Sequence, residues 1–207
     1  MSHKEYTQPW KKMAEAWKVF GKGNHPSEHD IEVYEDFFLK AIGSQLSPRV
    51  LVLGATCEIR DMLSKYTNVD VTLLDISGDM IKALGSLMKR KTENEKWVEG
   101  NWLDAPFDDN CFDVVFGDQV KSNVSAEDHK KFYNEIHRVL KPSGYHISRI
   151  TSRFPDTRIF SAEEIVDKYS KIPVSQDSLT EFWNLLVFKT HNDLISSTNR
   201  MFDILDK

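Results

Sequence analysis

The chain has 207 residues, 40% of them hydrophobic and 29% charged, with 9 Gly and 7 Pro, a composition that supports one packed globular domain and excludes a disordered or fibrous chain. Its formal net charge of −5 argues against a broad phosphate-binding surface, so a small molecule rather than nucleic acid is the expected partner. No apolar run approaches the ~18 residues of a membrane span, and Cys57 and Cys111 follow an N-terminus without an apolar export core, which sets the expectation of a reduced, cytoplasmic protein with no membrane association.

In chain order, Trp10, Trp17 and Phe20 fall in one helical segment, "NHPSEHD" breaks it, and Ile31, Tyr34, Phe38 and Ile42 mark a second helix face. Residues 1–47 are thus expected to form a helical cap. From 48 to 150, short β-branched runs alternate with helix-period segments, the signature of a parallel sheet with crossover helices. "VLVL" (Val50 to Leu53) is a strand, followed by a helix with Ile59, Met62, Leu63 and Tyr66 on one face. "VTLLD" ends a second strand at Asp75, and Ser77 caps a helix carrying Met80, Leu84, Leu87 and Met88, with the basic "MKRK" (Met88 to Lys91) at its negative end. "KWVEG" and "FDVVFG" supply a third and a fourth strand. Ser125 to Asp128 reads as a capping box for a helix with Phe132, Ile136, Val139 and Leu140, which "KPSG" stops before a fifth strand, "YHISRI". Residues 151–207 carry further helix starts at Ser161 and Ser178 and no clear strand pair. The expected architecture is a Rossmann-like, doubly wound, mostly parallel α/β sheet of at least five strands with flanking helices, a helical N-terminal cap and a helical C-terminal region, all in one domain.

In such a sheet the ligand crevice lies at the carboxyl ends of the strands, beside the turn after the first. That turn reads Gly54-Ala55-Thr56-Cys57-Glu58-Ile59, so only the first glycine of a dinucleotide fingerprint is present. Glu58 at the helix start would also repel a pyrophosphate. A phosphate-free ligand with an amine, a carboxylate and a ribose suits this turn better, and S-adenosylmethionine is such a ligand. Asp75, 21 residues after Gly54, ends the second strand where a carboxylate accepts from ribose hydroxyls. His25 and His29 are four apart, but Pro26 and the Ser27 to Asp30 capping box put His25 ahead of the helix, so no metal site is expected. Cys57, near a helix start, is a candidate for a lowered thiol pKa, with a structural role the favoured reading.

Residues Arg49 to Ile150 resemble the class I S-adenosylmethionine-dependent methyltransferases in an ordered set: first-strand Gly54, second-strand Asp75, the polar turn "GNWLDAPF", the "FDVV" strand, and the helix end "RVLKPSG". The resemblance implies an enzyme that uses S-adenosylmethionine to methylate O or N of a small molecule. It implies cofactor contacts from Gly54, Ala55, Thr56 and Glu58, from Asp75, Ile76 and Met80, from Asn101 and Trp102, and from Gly117 and Asp118. Asn101 aligns with an acid that accepts from the adenine amino group, and the Trp102 ring is expected over the adenine face, with Asp104 a weaker candidate for the same contact. Asp118, with Gln119 beside it, aligns with the strand end that faces the reaction centre, and is the expected group for substrate orientation or proton acceptance. The sequence departs from the family at Val52, where an acid is usual, and at Thr56 and Glu58, where glycines are usual. Glu58 or Asp118 is therefore the candidate partner for the cofactor's ammonium, the alternative for Glu58 being a first-turn acid that complements the helix dipole.

Trp10, Trp17 and Tyr34 are candidate acceptor-site residues from the flanking helices, as are Phe182 and Trp183, against the alternative that these aromatics are core. Two other functions fit the same fold: a protein that binds the cofactor or its demethylated product without turnover, and a protein methyltransferase. The terminal "MFDILDK" offers apolar residues to a second subunit, so a homodimer is an expected assembly.

Overall fold

The computed structural model describes residues 25–90, 95–150, 161–175, 178, 181 and 182. Trp10, Trp17 and Trp183 lie outside the described residues, as do the first helical segment of the expected cap and most of the region after residue 150.

Five strands form one parallel sheet: β1 (Arg49–Leu53), β2 (Asp70–Asp75), β3 (Glu95–Glu99), β4 (Phe112–Asp118) and β5 (Leu140–Arg149). Their order is β3-β2-β1-β4-β5, with every neighbouring pair parallel. The inner strands are apolar on both faces because helices or loops cover both, which is why "VLVL" and "FDVVF" run without alternation. β3, at the edge, keeps a wet face, with Trp97 half exposed. The order reverses at β1, which lies between β2 and β4, and such a switch point, at the carboxyl ends of the strands, is where open parallel sheets bind ligands in a crevice.

Side-chain alternation along the strands sorts the core into two layers. Val50, Val52, Val71, Leu73, Val114 and Phe116 meet α1 (Glu28–Ile42), α2 (Cys57–Leu63) and α3 (Gly78–Gly85). Leu51, Leu53, Leu74, Phe112 and Val115 meet α4 (His129–Val139). α1 docks through Tyr34, Phe38 and Ile42, with Phe38 tilted against Phe116 at 5.8 Å between ring centres. Its start is the expected capping box: Ser27 Oγ accepts from Asp30 N–H (3.1 Å), and the Asp30 carboxylate accepts from Ser27 N–H (2.8 Å).

Other boundaries differ from the sequence reading. α3 ends at Gly85, before "MKRK" begins, and the N–H groups of Lys89 and Arg90 donate to the Asp61 carboxylate. Ser125 forms no cap to backbone. Its hydroxyl meets Asp128 at 2.8 Å, and a short 3-10 turn (Ala126–Asp128) precedes α4. "KPSG" lies inside β5, where an irregularity in the pairing with β4 between Phe112 and Val114 takes up the extra residues and Ser143 adopts φ +67°. A further helix, α5 (Ala162–Tyr169), starts at the capping box Ser161–Glu164.

A buried ion pair ties β3 to α2. Arg60, 1% exposed at its side chain, donates to Glu95 at 2.7, 3.1 and 3.2 Å, and its guanidinium lies 5.7 Å from the centre of the Trp97 ring.

Candidate active site

The backbone at Gly54 turns the chain out of β1 at φ +84°, a conformation that glycine takes without strain. Its N–H donates to Leu74 C=O at 2.8 Å, and the same carbonyl accepts the Trp102 indole N–H at 2.7 Å. A Cβ on Gly54 would stand 3.7 Å from Trp102 Cζ2 and 3.8 Å from Asp75 Oδ2, so the turn, the second-strand acid and the β3–β4 loop converge on one point. Ala55 is buried behind the turn, and Thr56 precedes α2 without a side-chain cap.

Asp75 is nearly buried, with Oδ1 accepting from Ser77 N–H at 2.8 Å. Burial first, and the neighbouring Glu99 charge after the opposing Ser77 hydrogen bond, push its carboxyl up to about 7. Ser77 then caps α3 by accepting from Met80 N–H at 3.3 Å. The Met80 side chain is buried in the core, while Ile76 keeps partial exposure at the crest. Asn101 is engaged locally: its side-chain carbonyl accepts from Leu103 N–H at 2.9 Å and closes a turn bridged to Asp104. Trp102 packs into the core on the α4 face, its ring 6.4 Å from Phe132, so it is both a core residue and a wall of the crevice.

At the end of β4 the chain needs Gly117 for space, because a Cβ there would come within 2.5 Å of Val120 Cγ2. Asp118 follows, its side chain 4% exposed, and Arg149 at the end of β5 grips it with Nε to Oδ1 at 2.7 Å and Nη2 to Oδ2 at 2.8 Å. Tyr34 from α1 completes the cluster. Its hydroxyl lies 3.0 Å from both Asp118 Oδ1 and Gly117 C=O, and accepts from Arg149 N–H at 2.7 Å. Burial and the Asp118 charge hold the phenol far above its ordinary pKa, and the hydrogen bonds to Asp118 raise that of Arg149. Arg149 Nη1 also reaches Asp30 at 3.5 Å. Asp118, the residue expected to orient substrate or accept a proton, is thus held by two guanidinium N–H groups and the Tyr34 hydroxyl. Gln119 is fixed at φ +56° by its N–H to Arg149 C=O at 3.0 Å, and such left-handed non-glycine backbone is a feature of sites under local constraint.

At the start of α2, Glu58 is met by a residue that the sequence reading set aside. His25 Nδ1 lies 3.2 Å from Glu58 Oε1, and the Cys57 thiol lies 3.3 Å from Oε2. Burial raises the Glu58 carboxyl, but hydrogen bonds from His25, its own backbone and Cys57 outweigh this and leave it lowered. Cys57 moves opposite to the expected direction, up to about 12, because it is buried and beside Glu58. His29 is far more exposed and meets Glu32 at 3.5 Å.

The structure therefore brings together Gly54, Asp75 and Trp102 on one side of the crevice, and Tyr34, Gly117, Asp118 and Gln119 with Arg149 on the other. Arg149 was not singled out from the sequence, and His25 was weighed only as a partner of His29. Arg149 lies 31 positions from Asp118, and only the parallel register of β4 and β5, Asp118 opposite Arg149, pairs them.

Residues 51–148 match the family described as "Methyltransferase domain". The chain is 31% identical over 117 residues to a sterol 24-C-methyltransferase of Gibberella zeae, a match covering 54% of this chain and 30% of that protein. It is 39% identical over 83 residues to a demethylmenaquinone methyltransferase of Staphylococcus epidermidis, covering 40% and 33%. The match thus spans about a third of the length of these relatives. Among solved structures, a Haemonchus contortus phospholethanolamine N-methyltransferase 2, in complex with phosphomonomethylethanolamine and S-adenosylhomocysteine, superposes with a TM-score of 0.56 at 22% identity, covering 88% of this chain and 44% of that one, which establishes likeness of fold. Gly54, Asp75, Asn101, Trp102, Gly117 and Asp118 all lie within the stretch that matches the methyltransferase-domain family, and the β3-β2-β1-β4-β5 sheet is the fold shared with the superposed N-methyltransferase.

Proposed function

We propose that the chain binds S-adenosylmethionine across the ends of β1, β2 and β4 and transfers its methyl group to oxygen or nitrogen of a small-molecule acceptor. The observation that carries this reading is the Asp75 carboxylate. One oxygen is fixed by Ser77 N–H, and the other faces Gly54 beside the Trp102 ring, the arrangement a ribose with two vicinal hydroxyls requires. The donor set fits the cofactor in kind: a glycine turn without a phosphate cradle, an acid for the sugar, and an indole and an amide carbonyl for the base. The names of the relatives, sterol and demethylmenaquinone methyltransferases, favour a small acceptor, although the sterol enzyme's name specifies a carbon acceptor rather than oxygen or nitrogen.

The cofactor supplies an electrophilic methyl on a sulfonium, and in-line displacement asks the protein mainly for alignment, with the nucleophile about 3–3.5 Å from that carbon. Trp102 covers the base, Asn101 accepts from its amino group, and Asp75 holds the sugar. Glu58, its carboxylate oriented by His25 and Cys57, faces the ammonium in place of the acid missing at Val52. Asp118 acts through Arg149 and Tyr34, fixing the floor on which the acceptor and Gln119 meet. An amine or other acceptor that is a nucleophile in its neutral form needs no further base from this site.

Calorimetric titration of the purified chain with S-adenosylmethionine, S-adenosylhomocysteine and NAD tests the reading. Binding of the two adenosyl sulfur compounds, with heat lost in Asp75→Ala, is expected. Binding of NAD alone refutes it. Formation of S-adenosylhomocysteine with a panel of amine and phenol acceptors separates turnover from binding without turnover.

A further inference from the structure

His25, Cys57 and Glu58 present a nitrogen, a sulfur and a carboxylate oxygen that all lie within 4.8 Å of one another, and they come from two separate segments, the residue ahead of α1 and the first turn of α2. We propose that these three side chains form a binding site for a borderline-soft divalent cation of the zinc type, one that competes with the cofactor for Glu58.

Two of the three donor separations, each to one oxygen of Glu58, stand close to coordination spacing. With zinc bonds of about 2.0–2.1 Å to nitrogen, 2.0–2.2 Å to oxygen and 2.3 Å to sulfur, the edges of a tetrahedron fall at about 3.3–3.6 Å. His25 Nδ1 to Glu58 Oε1 is 3.2 Å, and Cys57 Sγ to Glu58 Oε2 is 3.3 Å, so a cation enters between donors that already stand near coordination spacing. The donor types select the ion. Thiolate and imidazole together favour zinc, cobalt or copper over magnesium and calcium, which take oxygen shells. The cluster is also sheltered, with Cys57 buried and the His25 and Glu58 side chains 21% and 28% exposed, and three protein ligands leave a fourth position open, as in zinc sites that exchange a ligand. The sequence hid this site because neither His29 nor Cys111 belongs to it, and no short metal motif joins His25 to Cys57.

Competition follows from the reading of Glu58 given above, on which this part of the proposal rests. One carboxylate that compensates the ammonium of the cofactor does not at the same time ligate a dication. The metal-loaded protein therefore binds the cofactor weakly, and the cofactor weakens the metal by the same factor.

Cobalt(II) titration of the full chain, freed of metal beforehand, is the test. One equivalent is expected to produce a thiolate-to-cobalt charge-transfer band in the near ultraviolet together with the visible bands of a tetrahedral ion. Zinc(II) displaces both. The band persists in Cys111→Ser and is lost in Cys57→Ser. His25→Gln, more exposed and less apt to disturb folding, weakens cobalt binding at least tenfold while circular dichroism stays unchanged. Saturating S-adenosylmethionine weakens cobalt binding more than tenfold. Absence of the thiolate band at stoichiometric cobalt, or its survival in Cys57→Ser, overturns the site. A cobalt affinity indifferent to bound S-adenosylmethionine overturns the competition. Because the band is read without cofactor, failure of the site and failure of cofactor binding are separate results.

Discussion

Replacing Asp75 by Asn should make the protein more stable than the wild type at alkaline pH and leave the two alike in acid. The folded protein holds the Asp75 carboxyl at about 7, against 3.8 for the free side chain, because burial and the Glu99 charge disfavour ionisation. Between those values the native state keeps a proton that the unfolded chain releases. The native state therefore binds more protons, and wild-type stability falls as pH rises from about 4 through 7, then levels. At 1.36 kcal/mol per pH unit, the full span corresponds to about 4 kcal/mol. Asn keeps an acceptor toward Ser77 N–H and carries no charge, so the difference between the two proteins isolates this group from all others that titrate. Urea denaturation at closely spaced pH values from 4.5 to 8.5 measures it. A difference curve that is flat across this range refutes the account of a carboxylate held against its hydration. The same ionisation supports the proposed chemistry, since ribose hydroxyls donate to the charged form. Affinity for S-adenosylmethionine should rise with pH through about 7 in the wild type and lose that dependence in Asp75→Asn.

Two further substitutions probe the frame that carries the crevice. Glu95→Gln leaves the Arg60 guanidinium buried without its counter-charge and should cost about 3–5 kcal/mol, read as a fall in melting temperature of roughly 6–20 °C. The double change Arg60→Met with Glu95→Leu should restore most of it, and a single change below ~1 kcal/mol would show that the pair contributes little. Gly117→Ala drives a methyl group into Val120 and should cost about 1–3 kcal/mol by denaturant unfolding, with Val120→Ala recovering part of the loss.

How far the sequence discloses this protein depends on the range of the interaction. The strands and their order of appearance follow from local apolar runs, and Asp75 is identifiable because a second-strand acid lies at a set spacing from Gly54. The Ser27 and Ser161 capping boxes are realised because each closes within three residues. Ser125 to Asp128 has the same letters, but its two side chains bond each other rather than backbone, so the pattern alone overstates the cap. The charge state of the site was hardest to foresee. Asp118 is legible as a strand-end acid, but not the Arg149 that β5 lays beside it; Cys57 is legible as a structural cysteine, but not the Glu58 carboxylate and His25 that stand near its thiol. Periodicity reports which face a residue occupies, and it carries no information about which opposite charge will arrive from a distant segment.

The connection from β3 to β4 crosses the sheet without a helix, through the turn of Asn101 and Asp104 and the inward-pointing Trp102. The two ends of the crevice are consequently built from materials of different stiffness: rigid helix starts at one end, a short irregular strap at the other. Under the proposed binding mode that strap receives the ligand's flat base, so substitutions within it alter base recognition while leaving the strands and the opposite end in place.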